Sequence, residues 1–349
     1  MRPVANPPNP WLSTAVEYLE EPPIARLEVI EDSTKGILSH NDSPDLGFRW
    51  SVNPYRGCWH ACSYCYARPR HEYLSLGAGT DFERKLVVKP RAPELLREAF
   101  ERPSWRGELV LFSGDTDCYQ PLEASYGLTR GCLEVMAEYK NPCGVITKSP
   151  LIERDVDLLV ELARVADLSL TISIPFWDPE RARAMEPFVA TPQRRIKTIE
   201  RLAKAGLRVG VNIAPLIPGL GDEDMPTILE AARDAGAVRA GFVFLRLPGP
   251  VAVVFEERLR KSLPLRAERV LARVREARVG KLYDGRFGAR QKGEGHYAEA
   301  ALALFEATTR RLGLQTFAMG PPPPERHTFE RPLAKGAQLD LFGAWPRSR

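Results

Sequence analysis

Asn53-Pro-Tyr-Arg-Gly-Cys58-Trp-His-Ala-Cys62-Ser-Tyr-Cys65-Tyr-Ala-Arg-Pro69 carries three of the chain's six cysteines within eight positions, spaced Cys-x3-Cys-x2-Cys. Thiolates this close repel one another unless a metal takes up their charge. A structural zinc site closes with four ligands, and an iron–sulfur cluster ordinarily takes four thiolates. Three cysteines therefore point to a cluster with one iron left open to another ligand. A zinc knuckle stands beside this reading: it needs His60 or His71 as fourth ligand and would make the chain a zinc-binding interaction module. Inert buried cysteines fit less well, because the segment is rich in Arg, Tyr and Pro rather than apolar. A disulfide framework belongs to secreted chains, and residues 1–6 lack the apolar stretch of a secretory leader.

Outward from this loop the chain alternates strand and helix. Residues 49–53 are strand-like and run directly into the cysteines; further strands are predicted over 108–112, 144–147, 168–174, 207–213 and 241–245. Helices are predicted over 93–100, 124–139, 155–166, 222–235 and from a Thr191-Pro192 cap to Lys204, with Gly206 as its stop. Such alternation argues for parallel strands with helices outside. Six strands fall short of the eight of a closed barrel, and a site just past the carboxyl end of a strand is where α/β barrels do their chemistry. At 349 residues, 44% hydrophobic and 27% charged, the chain suits one large α/β domain with extensions. A formal charge of +4 makes no case for nucleic acid by itself. No apolar run approaches ~20 residues, so no membrane association and a cytoplasmic location are expected.

Cys58-x3-Cys62-x-Tyr64-Cys65 resembles the signature of the radical S-adenosylmethionine (SAM) superfamily, in which an aromatic residue precedes the last cysteine. The resemblance implies a partial (β/α)6 barrel, open on one side, and a [4Fe-4S] cluster ligated by Cys58, Cys62 and Cys65. It further implies that SAM binds the open iron and is cleaved, with one electron from a flavodoxin- or ferredoxin-type donor, to a 5'-deoxyadenosyl radical that abstracts hydrogen from substrate. Members usually follow a strand with a glycine-rich segment holding the SAM amino group. Ser113-Gly114-Asp115 occupies that place here, departing from the commoner Gly-Gly-Glu form. Tyr64, Lys148, Ser173 and Asn212, the last three at strand ends, complete the residues expected to contact SAM; Lys148 suits a carboxylate or phosphate.

From residue 49 to 245 the chain is more specifically similar to proteins related to spore photoproduct lyase, through Asn53-Pro-Tyr-Arg-Gly-Cys58, Ser113-Gly-Asp-Thr-Asp117, Ile146-Thr-Lys-Ser149 and the strand from Ser169. That branch implies action on damaged DNA and a cysteine that donates hydrogen to a product radical, for which Cys118 is the candidate. RNA, a protein or a small metabolite are alternative substrates. Near the C-terminus, Gln338-Leu339-Asp340-Leu341-Phe342 resembles the peptide by which bacterial proteins bind the DNA polymerase sliding clamp, with two leucines and a phenylalanine as anchors. The expected organisation is an N-terminal arm over 1–48, the partial barrel over 49–250, a helical extension over 251–319, and a proline-rich linker and tail over 320–349.

Overall fold

The computed structural model describes residues 26–317 and 327–332. The peptide at Gln338, Leu339, Leu341 and Phe342 lies outside them, as do residues 1–25. Six parallel strands form the body of one sheet: β1 (Trp50–Val52), β2 (Val110–Phe112), β3 (Cys143–Thr147), β4 (Leu168–Ser173), β5 (Val209–Leu216) and β6 (Arg239–Phe244). They lie side by side in chain order, flanked by the antiparallel strand Leu38–His40 beyond β1 and the short strand Gln315–Thr316 beyond β6. Among the described residues the two edges do not pair, so the sheet is an open, partial barrel. A second sheet joins Glu28–Glu31, Lys85–Val88 and Tyr55–Arg56, so the residues around the cysteine loop are themselves hydrogen-bonded.

The strands are two-faced. Val110, Phe112, Cys143, Val145, Leu170, Ile172, Val209, Val211 and Ile213 enter the main apolar core, where Leu133, Leu159, Ile199, Leu202 and Leu229 of the surrounding helices cover them. Each such side chain, fully buried, contributes about 1.5–3 kcal/mol. Alternate positions point to the other face. The register sets Ser169 beside Gly144, Thr171 beside Ile146 and Gly210, and Ser173 beside Asn212, which in turn neighbours Gly241. The concave face is thus small and polar where the convex face is apolar.

Two helices are instructive. Pro192–Lys204 starts as predicted, with Thr191 Oγ1 accepting from Arg194 N at 3.3 Å, and ends before Gly206, whose φ is +84°. The single helix expected over 124–139 is instead two, Glu123–Tyr126 and Leu128–Glu138, broken at Gly127 with φ +62°. The Glu123 carboxylate causes the break to be stable: it accepts from Thr129 N at 2.8 Å and Arg130 N at 3.2 Å, capping the second helix. Glu153 performs a related task between layers, accepting from Thr198 Oγ1 at 2.7 Å, Arg194 Nη2 at 2.9 Å and Arg201 Nη1 at 3.1 Å.

The C-terminal part of the chain folds back onto the barrel. Phe317 N donates to Ala240 O at 3.1 Å, and the Phe317 ring lies over two glycines of the concave face. A Cβ on Gly241 would sit 2.5 Å from that ring and one on Gly210 3.3 Å. Residues 327–332 return to the other side, where Glu330 N bonds Tyr139 O at 3.0 Å and Arg331 donates to Phe100 O at 3.0 Å and Arg102 O at 2.7 Å. Phe329 packs against Tyr139 and Phe100.

Gly241→Val is expected to destabilise the fold by about 1–3 kcal/mol, the usual cost of overpacking, and Phe317→Ala to remove most of that penalty; a double-mutant cycle by urea denaturation reads the coupling. The carboxyl of Glu153 is held below its ordinary value of 4.5, burial opposing and the bonds from Arg194 and Thr198 prevailing. A depressed acid stabilises above its unfolded pKa and loses that contribution as pH falls through its folded one. Glu153→Gln should therefore be less stable at pH 7, while losing less stability than the wild type as pH falls below about 4.5.

Candidate active site

The cysteine loop leaves the carboxyl end of β1 and is fixed by backbone on every side. Cys58 N donates to Phe82 O at 2.9 Å, and Gly57 O accepts from Thr116 Oγ1 at 2.7 Å and Gln120 Nε2 at 3.1 Å. Gly57 has φ +73°, and a Cβ there would lie 2.9 Å from Phe82 O, so both the turn and the close approach require glycine. Cys58 and Cys62 are buried, Cys65 is partly so, and all three are free thiols. Their chemistry is mutual. Burial raises the Cys62 thiol well above its usual range, with Glu186, Cys65 and Cys58 adding to it. Burial and Cys58 push Cys65 up to about 11. Cys58 alone is lowered, because neighbouring His60 outweighs burial.

This donor set fits a cluster bound through three thiolates. Each thiol needs cationic charge before its neighbours can ionise, and the remaining cysteines, Cys118, Cys132 and Cys143, lie in the main apolar core. Among the described residues, no three His, Cys, Asp or Glu side chains converge as they would around a single ion. His71 Nε2 faces Lys85 O at 2.9 Å, and His60 Nδ1 faces Asp117 Oδ2 at 3.4 Å. His60 also bonds the Cys58 thiol, so one imidazole adjoins the loop while His71 is turned to the backbone.

In front of the loop sits a buried carboxylate that carries no sequence motif. Glu186 follows the short helix Pro179–Met185 and accepts from the Tyr64 hydroxyl, from Lys148 Nζ at 3.1 Å and from Arg195 Nη2 at 2.6 Å. Arg195 also donates to Ser173 O at 2.7 Å, and Ser63 N to Met185 O at 3.0 Å. Despite burial, Arg195 and Lys148 hold the Glu186 carboxyl down to about 2. Lys148, expected to await a carboxylate or phosphate, thus already has partners within the chain: Glu186 and Ala214 O at 2.9 Å. Its ammonium lies 5.7 Å from the centre of the Tyr64 ring. Tyr64 is thereby a post between two cysteines, locked from below. Only its place just before Cys65 in the quoted stretch pointed to it, and nothing local pointed to Glu186.

Ser113-Gly114-Asp115 lies beside the loop. Tyr66 OH donates to Gly114 O at 2.8 Å, Asp115 N to Asn53 Oδ1 at 2.7 Å, and Arg70 Nε reaches Asp115 Oδ1 at 2.7 Å. Ser113 has φ +76°, a left-handed conformation costly for a residue with a Cβ. Its Oγ accepts from Cys118 N at 3.0 Å. A Cβ on Gly114 would meet Ser51 Oγ at 3.0 Å. Asp117 joins this segment to the next strand end, accepting from Thr147 Oγ1 at 2.6 Å and Lys148 N at 2.7 Å. Ser173 and Asn212 stand side by side on β4 and β5. Asn212, expected at a strand end, lies inside β5 instead, because the strand continues to Leu216, and its Oδ1 is buried without a hydrogen-bond partner. Cys118 is packed in the main core, its thiol raised by burial, while its backbone N and its thiol both meet the Ser113 hydroxyl.

The rim alternates cations and aromatic rings. Arg84 lies 6.0 Å from the Trp59 ring and 5.2 Å from that of Phe188, and Arg246 lies 5.5 Å from that of Tyr66, which is 44% exposed. No helix among the described residues is long and apolar enough to cross a membrane.

Comparison with known proteins agrees with this geometry. The model of the radical SAM superfamily matches residues 52–232, more than half of the chain. An uncharacterized protein of Mycobacterium tuberculosis is 41% identical over 206 residues, covering 58% of this chain and 61% of its own. One from Methanocaldococcus jannaschii is 28% identical over 198 residues, 57% of this chain and 71% of that one. The chain therefore matches about three fifths of the length of the mycobacterial relative. Among solved structures, spore photoproduct lyase complexed with dinucleoside spore photoproduct has a TM-score of 0.58 at 17% identity, covering 84% of this chain and 82% of that one. A variant of the same enzyme has a TM-score of 0.57 over 83% and 81%. At that identity the likeness is one of fold. The chain belongs to the radical SAM superfamily, whose cofactors are a [4Fe-4S] cluster and S-adenosylmethionine.

Proposed function

We propose that this protein is a radical SAM enzyme acting on lesion-bearing nucleic acid. The observation that carries the reading is a loop of three free cysteines, buried or half-buried, held at the mouth of an open sheet with a small, polar concave face. Cys58, Cys62 and Cys65 would hold the cluster. When bound, cluster and SAM supply a one-electron cleavage that yields a 5'-deoxyadenosyl radical able to abstract hydrogen. Gly114 packs its backbone closely on Ser51, where a Cβ would meet Oγ at 3.0 Å, and this keeps the Ser113–Asp115 turn against β1. Asn212 Oδ1 offers an acceptor to a ligand donor, and Ser173 lies next to it. Lys148 and Glu186 keep Tyr64 and hence the loop in place.

Nucleic acid is supported by the rim, where Arg84, Arg246, Trp59, Phe188 and Tyr66 combine charge with ring faces suited to stacked bases. It is supported also by the fold shared with an enzyme solved in complex with dinucleoside spore photoproduct. The Gln338–Phe342 peptide would bring the enzyme to DNA by docking its Leu339, Leu341 and Phe342 side chains on a sliding clamp.

Full-length protein reconstituted anaerobically with iron and sulfide should form 5'-deoxyadenosine from SAM and dithionite. Cys58→Ala, Cys62→Ala and Cys65→Ala should each lose the cluster absorption and the product. DNA with ultraviolet lesions should raise the yield above that with undamaged DNA; equal yields would refute the nucleic-acid reading while leaving the radical SAM assignment intact. Immobilised sliding clamp should retain the wild type and release the Phe342→Ala variant, and failure to retain the wild type would remove the clamp as a partner.

A further inference from the structure

The cysteine loop is braced from behind by two buried guanidinium groups, one of them supplied from outside the 52–232 stretch that defines the family. Arg68 is fully buried. It donates to Cys62 O through Nε at 3.1 Å and Nη2 at 2.8 Å, and through Nη1 to Ala78 O at 2.9 Å and Gly79 O at 3.1 Å. Arg258, on the helix Pro250–Ser262, donates to Ala61 O at 2.7 Å. Both reach the buried Glu83, whose Oε1 lies 2.5 Å from Arg68 Nη2 and 3.3 Å from Arg258 Nη2. Two cations against one anion leave an excess positive charge directly behind the loop.

The second observation is backbone strain. Ala61, between Cys58 and Cys62, has φ +54°. A residue with a Cβ is disfavoured in that conformation, and a charge-assisted hydrogen bond is stronger than a neutral one. Arg258 makes the shorter bond to the carbonyl of this very residue, at 2.7 Å, and Arg68 Nη2 reaches the same oxygen at 3.4 Å, so the brace holds the strained peptide directly. Fixed charge in a buried setting also acts on any redox group nearby: an added electron is favoured by positive charge and disfavoured when it is removed.

We propose that the Arg68–Glu83–Arg258 brace sets both the shape of the cysteine loop and the ease with which the bound cluster takes up one electron, Arg258 being a positioning residue contributed by the C-terminal extension. This rests on the three cysteines being cluster ligands. The electron comes from a flavodoxin- or ferredoxin-type donor, and no bond is made or broken in its uptake.

The test compares reconstituted full-length wild type with Arg258→Lys, Arg258→Met and the double variant Ala61→Gly/Arg258→Met. Iron and sulfide content measure loading, and an electron paramagnetic resonance titration with poised mediators, without SAM, measures the midpoint. Arg258→Lys keeps the charge and should keep the midpoint. Arg258→Met should load poorly and, where loaded, show a reduced-to-oxidised ratio about tenfold lower at the wild-type midpoint, a shift of about 59 mV for one electron. Glycine adopts the left-handed conformation freely, so the double variant should regain loading but retain the lowered midpoint. If Arg258→Met does not load, the midpoint of the double variant against that of Arg258→Lys decides; equal values overturn the proposal. A loaded wild type with an unmoved Arg258→Met midpoint overturns the proposal alone. A wild type that takes up no iron and sulfide overturns the ligand reading and the proposal with it.

Discussion

Three thiols crowded into one loop cannot all ionise against one another without cationic company. For unit charges about 6 Å apart in an effective dielectric of about 20, the repulsion is about 3 kcal/mol, larger than the net worth of an ordinary hydrogen bond, about 1 kcal/mol. Charge therefore governs what surrounds the loop. In front, Lys148 and Arg195 bracket Glu186, which in turn holds Tyr64. Behind, Arg68 and Arg258 bracket Glu83 and hold the carbonyls of Ala61 and Cys62. Each carboxylate is shared by two cations, and in front a further carboxylate, Asp117, meets Lys148 N and His60. Taking one partner from such a buried set costs about 3–5 kcal/mol, which is why these groups act as a unit.

The sheet divides its labour by face. Convex side chains of β2 to β5 build the main core with the helices, and a parallel sheet covered on both faces would be apolar on both. The concave face departs from that rule with Ser169, Thr171, Ser173, Gly210 and Asn212. These residues add little to burial energy. They leave polar groups lining the inside of an unclosed barrel, below the cysteine loop and within reach of whatever binds there.

Much of this was legible in the sequence. The six strands announce themselves because β-branched runs alternate with helical periods, and Thr191-Pro192 and Gly206 mark a helix with local chemistry alone. The ligand triplet is local too, since its spacing is its function. What escaped is long-range. Glu123 breaks a helix by capping its second half, which no pattern of apolar residues encodes. Glu186 meets Tyr64 across 122 positions and Arg258 meets Ala61 across 197, so neither carboxylate nor guanidinium differs in sequence from a solvated surface charge. Lys148 was visible as a strand-end cation, but its partners were not.

Phe317 has a consequence of its own. Its ring fills the space left by Gly210 and Gly241, yet it belongs to the chain beyond the last helix rather than to either strand. The side chain that covers these two strand positions is therefore supplied by an appended segment and not by the sheet. A change at this one aromatic ring and a change at either glycine are changes to a single contact, although the three residues lie far apart in the chain.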